Sequence, residues 1–370
     1  MTQTTAVTLA TLDPVHTTTH LPEIQPEPTI HDAVSAIPPS TAASVAQRWN
    51  GSKETTFRTL SCYFAFTIYG MNDGTPGAMV PHLESYYSLP YSIVSLIFLG
   101  PMLGCITAAF TSNRLHERFG RRGVAAFATG SYAISYVDLM LGLAIIAAAT
   151  TVWSFWADCG TSRNTSASGQ AHSFTFSVFK DKVTLLFSGF MLLYVGAEVT
   201  IGGWLVTFML NVRNGTPSAS SLVASGFWIG ITVGRFALGW ITSYFGEKIM
   251  VSAYLVIAIG LELAFWLGKK FVVSAIMAAL VGLSIGMVMP ASIRVMTKIL
   301  PVEKHIVSVG FGTAFAVSGA SIFPFVVGAL AQAGGVQVLQ PVILALFAVQ
   351  LLLWLFVTRM KLDRDEDSSA

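Results

Sequence analysis

From residue 57 onward the chain is a succession of apolar runs parted by short polar turns. The runs cover roughly 59–80, 91–112, 183–210, 219–242, 249–268, 271–292, 306–332 and 341–358. Each is long enough to cross the hydrocarbon core of a bilayer as an α-helix, which takes about 20 residues. A helix satisfies its own backbone polar groups in lipid, so the pattern predicts an all-α polytopic membrane protein. Glycines recur at four-residue spacing within the runs, as Gly70/Gly74, Gly100/Gly104, Gly230/Gly234 and Gly282/Gly286. That spacing puts both members on one helix face and lets a neighbouring helix approach closely.

Two stretches depart from the series. Residues 1–56 are rich in Thr, Pro, Ala and Ser, with no apolar core of the kind a cleaved signal peptide carries. Such a segment buries too little apolar surface to offset its ordering entropy and is expected to be a disordered tail. Residues 123–156 are largely apolar, with Asp138 the one charged residue among them. As one helix they would extend about 51 Å, too far for a single ordinary span. As two spans they would have Asp138 alone between them and no turn sequence.

Composition agrees with lipid as the solvent: 53% of the residues are hydrophobic and 11% charged, against about 25% charged in soluble domains. A net charge of +2 gives no reason to expect a nucleic-acid partner. The cysteines Cys62, Cys105 and Cys159 form no CxxC and no metal-ligand spacing, and nothing in the chain suggests a cofactor. Charge placement matters more than its total. If the leading tail with Arg58 just beyond it, 113–122, 157–182, 242–248, 293–305 and 359–370 face the cytoplasm, they hold all but four of the 21 Lys and Arg. Arg213, Lys269 and Lys270 fall on the opposite side and Arg235 lies within a span. This positive-inside bias places both termini in the cytoplasm.

An internal repeat runs through the chain. Asn113-Arg114-Leu115-His116-Glu117-Arg118-Phe119-Gly120-Arg121-Arg122 has a partner 126 residues on, in Gly239-Trp240-Ile241-Thr242-Ser243-Tyr244-Phe245-Gly246-Glu247-Lys248. Both turns join the second and third spans of their half. The first span of each half also carries a carboxylate, Asp73 and Glu198, at nearly the same offset. Two matching halves are a common construction in secondary transporters.

The first turn resembles the loop motif of the major facilitator superfamily, G-x-x-x-D-R-x-G-R-[RK]. Glu117 stands for the Asp, Arg118, Gly120, Arg121 and Arg122 match, and Asn113 replaces the leading Gly. The stretches Tyr194 to Gly202 (YVGAEVTIG) and Gly70-Met71-Asn72-Asp73-Gly74 are similar to the fucose and glucose/galactose proton-symporter branch and its fungal bypass-of-stop-codon-like relatives. The resemblance implies a two-bundle fold of twelve spans. Here the second half covers roughly 177 residues while the repeat offset leaves 126 for the first, a deficit of about 51, close to two spans with their connections. The segment from Asp138 to Trp156 looks like a sixth helix joined directly to a truncated third. The expected architecture is therefore about 10 spans: 1–56 a cytoplasmic tail, 57–156 a truncated first bundle, 157–182 a central cytoplasmic loop, 183–359 a second six-helix bundle and 360–370 a cytoplasmic C-terminal tail.

Asp73 lies near the middle of the first span, where a carboxylate costs about 2.5–3.5 kcal/mol on insertion scales and usually faces a cavity or a partner. It either binds polar substrate groups or carries a proton, or else it bonds a neighbouring helix and serves packing. Glu198 has the equivalent depth in the second half. With Asn72, Tyr69, Tyr194 and Trp204 it would line a central cavity, aromatic faces against a sugar ring and polar groups on its hydroxyls; the alternative is that it caps a helix interruption near Gly202 and Gly203. In the resembling symporters the acid at Asp73 acts with another on the fourth helix, which has no counterpart here, so proton coupling is left open. The turn residues Glu117, Arg118, Gly120, Arg121 and Arg122, with Gly239, Gly246 and Lys248 in the repeat, read as a latch that pairs with helix ends in one access state, or as a topology signal alone. Arg235 is expected to snorkel outward and Glu262 to pair at the surface with Lys269 and Lys270. Gly282-Leu283-Ser284-Ile285-Gly286 fits a nucleophile motif but lies inside an apolar span with no histidine at its depth, so it reads as packing, and no catalytic residue is assigned.

The expected function is secondary transport of a small polar solute by alternating access, with a sugar and a proton implied by the resemblance, in a plasma or vacuolar membrane. The alternative is a transporter-like protein that does not transport, a receptor or a defective truncated variant. The partners expected are the solute and the lipid bilayer; the oligomeric state is open.

Overall fold

The computed structural model describes residues 53–107, 118 and 181–367, and all regular structure among them is helical. Helix α1 spans Lys53–Tyr87 and α2 spans Tyr91–Thr107, tightening to a 3₁₀ turn at Ser95–Leu99. The second half contributes α3 (Lys182–Asn211), α4 (Pro217–Phe245), α5 (Glu247–Leu267), α6 (Phe271–Ile285), α7 (Val288–Ile299), α8 (Val302–Gly334) and α9 (Leu339–Asp367). Counting α6 and α7 as one interrupted span, six segments from Lys182 to Arg359 are long and apolar enough to cross a membrane. The expected tail 1–56 lies outside the described residues except for its last four, which already belong to α1; the stretch 123–156 lies outside them entirely.

Polar caps set several helix ends. Asp181 accepts the Thr184 backbone N–H at 3.2 Å and its hydroxyl at 2.7 Å, starting α3. Thr216 accepts from the Ala219 N–H at 3.3 Å, with Pro217 in the first turn of α4. Between α4 and α5 the chain turns on Gly246 at φ +91°, whose N–H bonds the Thr242 carbonyl at 3.0 Å. An L side chain is strained at that angle, which is why the repeated Phe-Gly ends in glycine. Gly246→Ala is expected to lower folding stability by about 1–2 kcal/mol, visible as a lower unfolding temperature of the purified protein; an unchanged temperature would mean the turn relaxes.

The second-half glycine pairs act as their spacing predicts. Gly230 and Gly234 lie against the Ala279 and Leu283 carbonyls, while Gly282 and Gly286 lie against those of Phe227 and Ile231. Helices α4 and α6 thus meet backbone to backbone, and the Ser284 hydroxyl donates to Val281 within its own helix, as a packing residue does. A Cβ added at Gly70, Gly100 or Gly104 would meet nothing beyond its own helix within 4 Å among the described residues. At the core, α3 is buried along nearly its whole length, with Phe190, Tyr194, Trp204, Phe208 and Met209 almost fully enclosed.

The span expected at 271–292 is broken. Helix α6 stops at Ile285 and α7 starts at Val288. Pro290 offers no N–H to the Gly286 carbonyl, which removes one helical bond at the break.

Candidate functional site

Helices α1 and α3, which carry the first expected spans of the two halves, meet where Gly77 lies against the Gly202 carbonyl and Gly203. One turn earlier on each helix stand Asp73 and Glu198, about 6 Å down the axis from that contact. The offset is the same for both pairs, since 202 − 77 and 198 − 73 are each 125. The sequence repeat therefore becomes a physical pairing of equivalent positions. Pro76 lies inside α1 and withholds an N–H from the Asn72 carbonyl, which loosens the helix at Asp73. Asp73 is exposed, whereas Glu198 is only 6% exposed. Asn72 and Tyr69 stand on α1 in the same stretch.

Glu198 has a partner that depth alone did not suggest. Arg235 Nη2 lies 3.5 Å from Glu198 Oε1, with the arginine side chain about half exposed. The expected outward snorkel is thus corrected. On a helix the Cα–Cβ bond tilts toward the N-terminus, which for α4 means toward the middle of the bundle, so Arg235 reaches inward. Tyr194, one turn before Glu198 on α3, is fully buried and donates its hydroxyl to the Ile285 carbonyl at 3.1 Å, at the break between α6 and α7. The Trp228 ring lies against both Gly74 and Gly202, so an aromatic face adjoins the carboxylates.

Trp204 is placed differently from the expected cavity wall. It is fully buried, its indole N–H donates to the Pro324 carbonyl at 2.9 Å, and Tyr91 and Phe98 stack on it at 5.8 and 6.2 Å. Gly203 lies against the Phe98 ring and Gly328 against Ser95. Asn211 donates to the Tyr91 hydroxyl at 2.9 Å. Together these contacts shut the bundle at the end that carries the turns at 88–90 and 212–216. Beyond the site, the Glu84 carboxyl in the last turns of α1 is pushed up by burial, partly offset by the Tyr91 hydroxyl.

Glu262 is also corrected. It is 2% exposed and sits on the packed stripe Val251, Tyr254, Leu255, Ala258, Glu262 and Phe265, while Lys269 and Lys270 are exposed at the following turn. Among the described residues no ion pair engages it. At the same end Arg213 donates to Ser274 Oγ at 2.8 Å and to the Phe265 and Trp266 carbonyls at 3.1 and 3.3 Å.

Of the latch residues, Glu117, Gly120, Arg121 and Arg122 lie outside the described residues, and Arg118 is helical and exposed. In the repeat, a Cβ at Gly239 would lie in ordinary contact with the Met287 sulfur, and the Lys248 carbonyl accepts from Trp354 at 3.1 Å. A tie missed in the sequence is Glu247, which accepts from Lys298 Nζ at 2.8 and 2.9 Å and lies 3.7 Å from Arg294. Its place in the first turn of α5 was the available signal, since an acid is favoured there.

Comparison with known proteins fits this architecture. The profile of the Major Facilitator Superfamily matches residues 186–370. Bypass of stop codon protein 6 of Saccharomyces cerevisiae is 24% identical, with 85% of each chain covered. That alignment runs over 438 positions against 370 residues here, so at least 68 positions, 438 − 370, fall opposite gaps in this chain. Among solved structures, a variant of the E. coli fucose:proton symporter is similar at TM-score 0.50 and 16% identity, covering 80% of this chain and 84% of that one. The fucose transporter FucP in its outward conformation gives TM-score 0.51 at 16% identity, covering 83% and 90%. An interrupted six-helix half and a family profile across half the chain lead to one conclusion: this multi-pass membrane protein belongs to the Major Facilitator Superfamily of secondary transporters.

Proposed function

We propose that the chain carries a small polyhydroxy solute, a sugar or a close analogue, by alternating access. The observation that carries this reading is the group Asp73, Glu198, Arg235 and Trp228, set where the two halves meet and one turn from the Gly77–Gly202 contact. Ionisable groups held inside a membrane are costly unless they face a cavity or a partner, and transporter sites lie at the junction of repeats near mid-depth. Trp228 offers a face for a sugar ring, while the carboxylates and the guanidinium offer acceptors and donors for hydroxyls. The fucose:proton symporters of similar fold support a sugar as the solute and a proton as the coupling ion, with Asp73 the group that would carry it. Tyr69, Asn72 and Tyr194 complete the proposed site, and Trp204 joins it only when the closed end opens.

In this reading both termini are cytoplasmic, the closed end faces away from the cytoplasm, and the membrane is the plasma or vacuolar one. Residues 57–156 form a first bundle short of two helices, 183–359 the second bundle, and the turn motif with Gly239, Gly246 and Lys248 is the cytoplasmic latch. Counterflow of hexoses and deoxyhexoses in proteoliposomes tests the proposal, with Asp73→Asn as the matched variant. Counterflow that depends on Asp73 is the expected result; no counterflow of any of them by the wild-type chain would overturn it. A second reading, a transporter-like protein that does not transport, is favoured by the positions of the yeast relative that face gaps here, because a half-bundle with missing helices cannot close fully around a site.

A further inference from the structure

We propose that Tyr194 is a positioning residue that links the charge on Glu198 to the break between α6 and α7. The inference rests on the central site described above but not on the identity of its solute. Tyr194 and Glu198 stand one turn apart on the same face of α3, both buried, at the spacing where side chains of a helix meet. A phenol has a single proton to donate. In the structure that proton goes to the Ile285 carbonyl, the last of α6 and one of the end carbonyls that no helical N–H serves. A carboxylate is the stronger acceptor, so the tyrosine turns to Ile285 only while Glu198 is engaged elsewhere. Here Arg235 engages it.

The link closes on itself. Gly286, at the break, packs against the turn of α4 that carries Arg235, touching the Ile231 carbonyl and the Arg235 backbone nitrogen. One side of that turn therefore abuts the break while the arginine side chain reaches Glu198, and Tyr194 joins Glu198 back to the break. A solute that draws Arg235 away leaves Glu198 free to take the tyrosine proton, and Ile285 loses its donor. A proton on Glu198 does the reverse and returns the hydroxyl to Ile285. Few other charges bear on this circuit. Asp73 faces it from α1 and Arg235 from α4, and α6 has no ionisable residue. Arg294 and Lys298 of α7 are tied to Glu247, α8 carries its charges and His305 in the first turn, and α9 has none before Arg359.

Hydrogen exchange of the purified full chain in nanodiscs, read by mass spectrometry as protection of amides 284–292, tests the link with no solute present. Arg235→Gln is expected to lower that protection about threefold to tenfold at neutral pH, the change one hydrogen bond makes, and acidification should restore it. In the double variant Arg235→Gln with Glu198→Gln the response to pH should vanish. Tyr194→Phe should show the low protection at every pH, with or without Arg235. Protection of α5 amides serves as the folding control in each variant. An Arg235→Gln protein protected like wild type at every pH would overturn the proposal, and so would a pH response that survives in Tyr194→Phe/Arg235→Gln.

Discussion

Replacing Gly77 by valine is expected to cut uptake at least about 100-fold while leaving the protein folded. A Cβ at Gly77 would fall on the Gly202 carbonyl, which is backbone and cannot swing aside as a side chain can. Moving it means moving α3, and α3 is held on its other side, where Gly319 lies against Leu192 and the Trp204 indole bonds Pro324. Overpacking of this kind costs about 1–3 kcal/mol where side chains can adjust, and backbone meeting backbone sits at the upper end. About 3 kcal/mol against the closed arrangement depopulates it roughly 100-fold. The open arrangement parts the two helices and accepts the valine, so the unfolding temperature should hold. Gly70→Val is the control, because a Cβ at Gly70 would meet nothing beyond its own helix within 4 Å among the described residues. Equal uptake by both variants would show that closure does not run through Gly77.

Arg235→Gln is expected to lose uptake by at least about tenfold and to destabilise the protein by about 2 kcal/mol. Removing one partner of a buried ion pair leaves the other uncompensated and costs about 3–5 kcal/mol. The figure is discounted here because the arginine side chain is 46% exposed and its charge partly screened. Adding Glu198→Gln to the variant removes the stranded carboxylate and should recover most of the stability but none of the uptake. Thermal unfolding and counterflow, measured on both variants, separate the two effects. If the double variant is no more stable than the single one, the pair is incidental to folding.

How much of this was legible in the sequence differs from residue to residue. The spans of the second half were, because an apolar run of helical length has one solution in lipid, and the observed helices follow those runs while reaching past them at most ends, by as much as nine residues at the C-terminus of α9. The break at 286–287 was not, because the run 271–292 is apolar throughout; Pro290 was the one available signal. Depth was readable for Arg235 and Glu262, but direction was not. Arg235 turns inward through the tilt of its Cβ, and Glu262 falls on a packed stripe whose phase is set by the helices around it. Asp73 and Glu198 were paired in advance by their offset, and the structure adds the glycine contact that brings them level. Trp204 and Trp228 could not be told apart from sequence, since an indole suits a cavity wall and a packed seam equally, and neighbours from α2 and α8 decide which it becomes.

The seating of Trp204 has an optical consequence. An indole sealed from water and bonded to a carbonyl emits at shorter wavelength than one that water reaches, so each opening of that end should shift its emission to the red and each closure shift it back. Other tryptophans add a background, Trp240 being 79% exposed and Trp266 41%, and Trp204→Phe supplies the spectrum to subtract. The chain thus carries its own unlabelled reporter of which side is open, readable in real time during turnover, before any solute has been identified.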